Sequence, residues 1–223
     1  MIVVIPARRG SEGVKDKNWR DFCGKSLVER AIKFARHFAR PDDIYVTTNA
    51  GFHAANHCPD AETIHSEIHD ADARAVDVWR DTIMEMGLGA DSLTAYLEPS
   101  SPFRTQEDWD RCEAALYSHP WYQCAATVSP AQPPQKLLQM GVEDGHKVPV
   151  GDLTNKPRQG MGRWYRRNGA VYMARVGHVL SGKMMEERCC PVVSFGPRPN
   201  IDTEDDWLMA EALWEKIHGK TGD

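Results

Sequence analysis

Short runs of β-forming residues alternate with longer amphipathic stretches through the first half of the chain. Ile2-Val-Val-Ile5 is a continuous apolar run closed by Pro6, the pattern of a strand buried on both faces. A polar, glycine-bearing loop follows from Arg8 to Gly24. Ser26-Leu-Val-Glu29 has the spacing of a capping box and opens an amphipathic helix predicted to reach about Arg40, before Pro41 breaks it. Ile44-Tyr-Val-Thr-Thr48 reads as a second strand. Asp72 to Met86 reads as a helix closed by Gly87, Leu93 to Leu97 as a strand ending at Glu98-Pro99, and Thr105 to about Tyr117 as a helix. Cys124-Ala-Ala-Thr-Val128 is the next predicted strand, and Pro130, Pro133 and Pro134 mark a break after it. Hairpin signals surround Glu143-Asp-Gly145. Gly169-Ala-Val-Tyr-Met173 and Pro191-Val-Val-Ser-Phe195 are late strands, and Thr203 caps a terminal helix to about Ile217.

This alternation predicts an α/β fold, a mostly parallel sheet with helices on both faces. The stretch from about 130 to 175 breaks the alternation and reads as an antiparallel insertion within a single domain spanning 1–223. At 223 residues one sizeable core is affordable, and 41% hydrophobic with 26% charged residues is ordinary globular composition. No apolar run approaches the roughly 18 residues of a membrane span. The apolar start precedes its basic residues, the reverse of an export signal, so it reads as a strand of the mature protein. The formal net charge of −5 argues against a broad nucleic-acid-binding face. The six cysteines show no C-x-x-C spacing, and free thiols in a reducing cytoplasm are expected.

The loop Pro6 to Asn18 holds two glycines, one serine and four basic residues in thirteen positions. Glycines let backbone N–H groups approach an anion and the basic side chains supply charge, which suits a polyphosphate at the end of a first strand. It is neither a Walker A sequence nor a G-x-G-x-x-G fingerprint, and composition alone leaves a solvated charged loop as an equal reading. His53 and His57, like His65 and His69, have helical spacing without the residues that complete a zinc motif, and read as ordinary histidines. Ser11, Ser100 and Ser101 have no G-x-S-x-G context. Trp79, Trp109, Trp164, Trp207 and Trp214 read as core or dimer contacts.

Four segments in order resemble the N-acylneuraminate cytidylyltransferases. Ile5-Pro-Ala-Arg-Arg-Gly-Ser-Glu-Gly-Val-Lys-Asp-Lys-Asn18 is similar to that family's opening signature. Leu97-Glu-Pro-Ser-Ser-Pro-Phe-Arg104 resembles its L-Q-P-T-S-P-L-R. Arg158-Gln159 with Asn168-Gly-Ala-Val-Tyr172 resembles R-Q…N-G-A-I-Y, and Ile201-Asp-Thr-Glu-Asp205 the end of I-D-I-D-T-x-x-D. The resemblance implies a three-layer, Rossmann-like nucleotidyltransferase fold whose small antiparallel extension supports a homodimer. It implies a cytoplasmic enzyme that transfers CMP from CTP to a sialic-acid-like nonulosonic acid and releases pyrophosphate. The alternatives are a related enzyme for an eight-carbon keto-sugar acid, or a non-catalytic nucleotide-binding protein of the same fold.

By this resemblance Arg8 and Lys17 are catalytic, gripping the triphosphate, with Lys17 the first choice for transition-state stabilisation over an exposed surface lysine. Ala7, Gly10, Ser11, Gly13 and Asn18 complete the nucleotide site. Glu98, Arg104, Arg158 and Tyr172 form the sugar site, with Arg158 facing the sugar carboxylate; for Tyr172 a core role is an equal reading. Mg²⁺ is the implied cofactor, at Asn200 and Asp202, where the family carries two aspartates. Three departures change charge near an anionic substrate pair: Glu12 in place of lysine, Glu98 in place of glutamine, and Asn200 in place of aspartate. Thr48-Asn49 and His65-Ser66 also differ from the family's T-D and R-P. The departures leave two readings: an altered sugar, one bearing an ammonium group that Glu98 pairs with, or weakened catalysis.

Overall fold

The computed structural model describes residues 1–49, 58, 61–65, 73–84, 86–134, 139–143, 146–150 and 162–219. Its main sheet uses seven strands: β1 (Ile2–Pro6), β4 (Ile44–Thr48), β5 (Glu62–His65), β6 (Leu93–Tyr96), β7 (Cys124–Ala131), β10 (Trp164–Arg175) and β11 (Cys189–Val193). Their order is β11-β7-β10-β6-β1-β4-β5. The described helices are α1 (Leu27–Ala35), α2 (Ala75–Met84), α3 (Gln106–Ser118), α4 (Val176–Leu180) and α5 (Glu204–His218). Two small ribbons stand apart: β2 (Asp21–Phe22) with β3 (Lys25–Ser26), and β8 (Gln139–Glu143) with β9 (His146–Val150). The second is the hairpin expected around Glu143-Asp-Gly145.

Alternate side chains of a strand point to opposite faces, and the apolar run of β1 feeds two cores. Val3 and Ile5 pack with Val28, Ala31 and Ile32 of α1 and Trp109 and Leu116 of α3. Val4 packs on the other face with Val76, Trp79 and Ile83 of α2 and Val176 and Val179 of α4. The result is the three-layer arrangement predicted from the alternation. β1 is parallel to β4 and to β6, β4 to β5, and β7 to β11. β10 alone runs antiparallel, wedged between β6 and β7. The chain leaves β1 toward β4 and β5, then returns to place β6 on the other side of β1. The crevice beyond the carboxyl ends of β1 and β6 is therefore a topological switch point, where α/β sheets bind ligands.

Local chemistry sets the element ends. Ser26 and Glu29 form the full capping box of α1, with reciprocal bonds of 3.2 and 2.7 Å. Regular helix stops at Ala35 rather than near Arg40, because His37 and Phe38 donate three residues back, to Phe34 and Ala35, and tighten the last turn. β7 runs on through Pro130 to Ala131 instead of breaking after Val128. Pairing with β11 ends at Val128, so Pro130 sits where β7 has an open edge and its missing N–H costs nothing there. β10 starts at Trp164, five residues earlier than expected, because a bulge between Arg167 and Tyr172 joins two ladders onto β7. β5 and α4 are additional to the predicted elements. Trp79, Trp109 and Trp207 are fully buried, as core residues, while Trp164 is exposed. His53, His57, Ser66 and His69 lie outside the described residues.

Candidate active site

Four segments meet at the switch point: the loop after β1, the loop after β6, the bulge of β10 and the stretch leading into α5. Packing and backbone contacts hold them together. The β1 loop is pinned by Val14, buried in a third core with Phe22, Leu27, Phe103, Ile201 and Trp207. Gly13 approaches the Asp202 carbonyl so closely that an added Cβ would lie 2.0 Å from its oxygen. Ile201 donates its N–H to the Ser100 carbonyl at 2.9 Å, tying the α5 approach to the β6 loop. Further support comes from Arg198, whose Nε bonds Asp108 Oδ2 at 2.8 Å in an ion pair buried at the start of α3.

The cleft has two chambers. The first, about 340 Å³, is lined by Arg8, Ser11, Glu12, Gly13, Lys17, Asn18, Glu98, Ser100 and Asp202, with Ala73, Ala75 and Val78 at the start of α2. Asn18 donates from Nδ2 to the Arg8 carbonyl at 3.1 Å and so fixes the loop that carries Arg8. Lys17 Nζ donates to the Ile201 carbonyl at 2.5 Å and to Asp202 Oδ1 at 3.0 Å, spanning the chamber mouth rather than reaching into bulk solvent. The Ser11 hydroxyl oxygen is buried and has no hydrogen-bond partner among the described residues. A buried polar atom of this kind awaits a ligand group. Ala7 and Gly10 do not line the chamber: the Ala7 amide and carbonyl are taken by Thr47 and Thr48, and Gly10 makes a left-handed turn at φ +81°. Asn49 accepts from the Arg9 amide at 2.8 Å and supports the same turn.

The second chamber, about 530 Å³, is lined by Arg74, Val76, Glu98, Arg167, Gly169, Tyr172, Met184, Glu186 and Asn200. Glu98 and Ala75 belong to both chambers and form the wall between them. Burial raises the Glu98 carboxyl above the usual carboxylate range; Arg167 draws it back, Asp202 pushes it further up, and Arg104 and a hydrogen bond with the Tyr172 hydroxyl oppose that. Burial chiefly, with Glu98 beside it, also raises the Tyr172 phenol. Tyr172 is thus both core and site: its ring meets Tyr96 edge-on while its hydroxyl reaches Glu98. Gly169 is required here. Its φ is +70°, and a Cβ would come within 2.3 Å of Glu98 Oε2 and 2.5 Å of Ser101 Oγ.

Arg104 departs from its expected place on the sugar. It is buried, lines neither chamber, and donates to the Ala170 carbonyl at 2.8 Å and to the Glu98 carbonyl. Its guanidinium, drawn down by burial to about 10, staples the β6 loop to the β10 bulge and so supports the site from beneath. Arg158 lies outside the described residues. Asn200 donates from Nδ2 to Asp202 Oδ2 at 2.8 Å, and its Oδ1 lies 3.1 Å from Ser101 Oγ. Among the described residues no group of three or more His, Cys, Asp or Glu converges as a metal site. The residues missed by the sequence reading are Arg74, Arg167, Met184 and Glu186. Arg167 directly precedes Asn168-Gly169, and that adjacency was its one available signal.

A family model for cytidylyltransferases matches residues 2–88, the stretch that supplies β1, the charged loop and α2. An N-acylneuraminate cytidylyltransferase of Escherichia coli O18:K1:H7 is 24% identical over 97% of this chain; the chain spans about half, 52%, of that relative's length. A CMP-N,N'-diacetyllegionaminic acid synthase of Legionella pneumophila is 25% identical, with 96% of each chain covered. Among solved structures, a CMP:2-keto-3-deoxy-manno-octonic acid synthetase complexed with CTP superposes with a TM-score of 0.70 over 97% of this chain and 98% of that one, at 16% identity. A 4-diphosphocytidyl-2C-methyl-D-erythritol synthase from Anaerococcus prevotii gives 0.62 over 96% and 97% of the two chains, at 12%. The chain thus shares the Rossmann-like fold of these solved structures, with the charged loop after β1 at the position the switch point dictates.

Proposed function

We propose that this protein transfers CMP from CTP to a carboxylated nine-carbon keto sugar. The observation that carries the reading is the pair of chambers that share Glu98 and Ala75 as a common wall. One side is loop backbone with Arg8, Lys17 and the orphaned Ser11 hydroxyl, suited to a triphosphate. The other is larger, with charged and hydrogen-bonding side chains suited to a sugar acid. The named activities of the E. coli and Legionella relatives support the same pairing.

In this reading the anomeric hydroxyl oxygen attacks the α-phosphorus in line. The bond from that phosphorus to the bridging oxygen breaks, pyrophosphate leaves, and the hydroxyl proton passes to solvent. Nothing covalent forms on the enzyme, so its contribution is alignment and neutralisation of charge. Arg8 and Lys17 bear on the phosphates, Ser11 donates to them, and Asn18 holds the loop in place. Hard oxygen donors suit Mg²⁺, which binds through one or two carboxylates plus substrate phosphates. Asp202 and the Asn200 carbonyl would hold it, and it would neutralise phosphate charge. A homodimer belongs to the same proposal: Trp164 and Tyr165 are exposed at the base of the antiparallel extension, where a second copy would cover them. No described helix is long and apolar enough to cross a membrane, and a supply of CTP is consistent with a cytoplasmic site of action.

The test is incubation with CTP, Mg²⁺ and a panel of nonulosonic and octulosonic acids, following pyrophosphate and the mass of the product. A CMP-sugar with a nine-carbon acid is the expected product. Absence of pyrophosphate with every acid would refute the assignment.

A further inference from the structure

Four charged side chains line the second chamber, and two of them are already committed. Arg74 bonds Asp77 through Nε at 2.6 Å and Nη2 at 2.8 Å. Glu186 accepts from the amides of Met184 and Met185 at 2.7 and 2.9 Å. The other two, Arg167 and Glu98, form no ion pair within 4 Å among the described residues; Arg167 is exposed and draws the buried Glu98 carboxyl down from a greater distance. Both are held in position. Arg167 is fixed by its backbone pairing with Val128 at the edge of the bulge. Glu98 is fixed by the Tyr172 hydroxyl and by Gly169, whose missing side chain leaves room for the carboxyl.

Among the described residues the chamber holds a buried carboxylate without an ion-pair partner beside an exposed guanidinium that also lacks one; a ligand with both charges is complementary to it, because a desolvated carboxylate gains most from a cation brought against it. Guanidinium matches carboxylate in shape, with two parallel N–H donors. A carboxylate deep in a cleft favours a positively charged partner over a neutral amide. We propose that the acceptor of this enzyme is a zwitterionic sugar acid, its carboxylate bound by Arg167 and a free ammonium substituent bound by Glu98, so that an amino sugar acid is preferred to its N-acylated counterpart. The inference rests on the reading of the second chamber as the sugar-acid site. Burial raises the Glu98 carboxyl although Arg167 and Arg104 both draw it down, so a cation brought against it would hold it ionised.

The experiment uses matched nonulosonic acids that differ only in carrying a free amine, an N-acetylated amine or a hydroxyl at one position, with the position varied. The kcat/KM for CMP transfer is measured for the wild type, Glu98→Gln, Arg167→Ala and Arg167→Lys, with melting curves to confirm that each variant is folded. Expected for the wild type is an amine preference of at least about tenfold at one position. Glu98→Gln abolishes that preference. Arg167→Ala raises KM for every acid about tenfold or more without changing the amine preference, and Arg167→Lys restores part of the loss. A wild type that uses the N-acetylated acid as well as or better than the amine at every position overturns the inference while leaving the transferase reading intact. So does an amine preference that survives Glu98→Gln, or a Glu98→Gln variant whose sole defect is a higher Mg²⁺ requirement with all acceptors. No turnover with any acid removes both the inference and the reading beneath it.

Discussion

Lys17 shows how one side chain can be held ready without a ligand. Its ammonium is anchored to the Ile201 carbonyl and to Asp202 across the chamber mouth, so the phosphate site proposed between Arg8 and Ser11 has a positive charge already placed beside it. Charge that is preorganised in this way needs no rearrangement at the moment of reaction. Lys17→Met is expected to lower kcat about 10²- to 10³-fold while leaving the melting temperature close to that of the wild type, read by pyrophosphate release and a thermal melt. The place of Lys17 at the chamber was indicated by the charged loop after the first strand, while its role rests on the motif resemblance. Arg104 was not legible in the sequence: its spacing puts it in the right neighbourhood, but only packing shows that it turns inward to two carbonyls. Arg167 was not legible either, because its role depends on a bulge that places it at the carboxyl end of β6.

Among the elements, α5 couples helix energetics to the site. Its N-cap, Thr203, accepts from the Asp206 amide at 3.1 Å, and the Asp206 carboxylate accepts from the amides of both Asp202 and Thr203. The residue that contacts Lys17 therefore sits directly before a capped helix start, held by the cap itself. Thr203→Ala is expected to cost about 1 kcal/mol, seen as a lower denaturation midpoint. It should also raise the CTP and Mg²⁺ concentrations needed for half-maximal rate, because Asp202 loses a neighbour that orders it. The caps Ser26 and Thr203 were readable from side-chain type and spacing, and Thr105, read as the start of its helix, proves to be its cap. The strand ends were not readable, because they depend on which neighbour is still paired: β7 outlasts its proline only because β11 has already stopped.

At the scale of the whole molecule, His178 on α4 links packing to pH. The residue is buried, and Nε2 has no partner among the described residues. Burial first, then Lys183, hold its pKa below 6.5, against the pull of Glu186 and Glu187. The unfolded chain takes up this proton near 6.5 and the folded chain resists it, so the unfolded state gains as pH falls. Stability is expected to drop between about pH 7 and about pH 5. His178→Gln should flatten that part of the curve, checked by melting temperatures across the range for both proteins. The three-layer architecture and the position of the site were legible at this scale, since strand and helix periods alternate and the charged loop follows the first strand. The antiparallel wedge of β10 was not, because no local pattern states which strands flank it.

That wedge also governs how the protein can be assembled as it is synthesised. β6 and β7 are made early, yet they are joined only by β10, which spans residues Trp164 to Arg175. Until those residues clear the ribosome, the emerging chain has β1, β4, β5 and β6 on one side and β7 on the other, with two unfilled ladder edges facing each other. Closing the gap demands pairings of long sequence separation, which form slowly and leave open edges vulnerable to sticking. The cleft lies across this late seam, with Glu98 on the early side and Gly169 on the late one. A nascent chain therefore has no second chamber until its last strands arrive, and a pause in translation just before residue 164 would hold it at its most aggregation-prone stage.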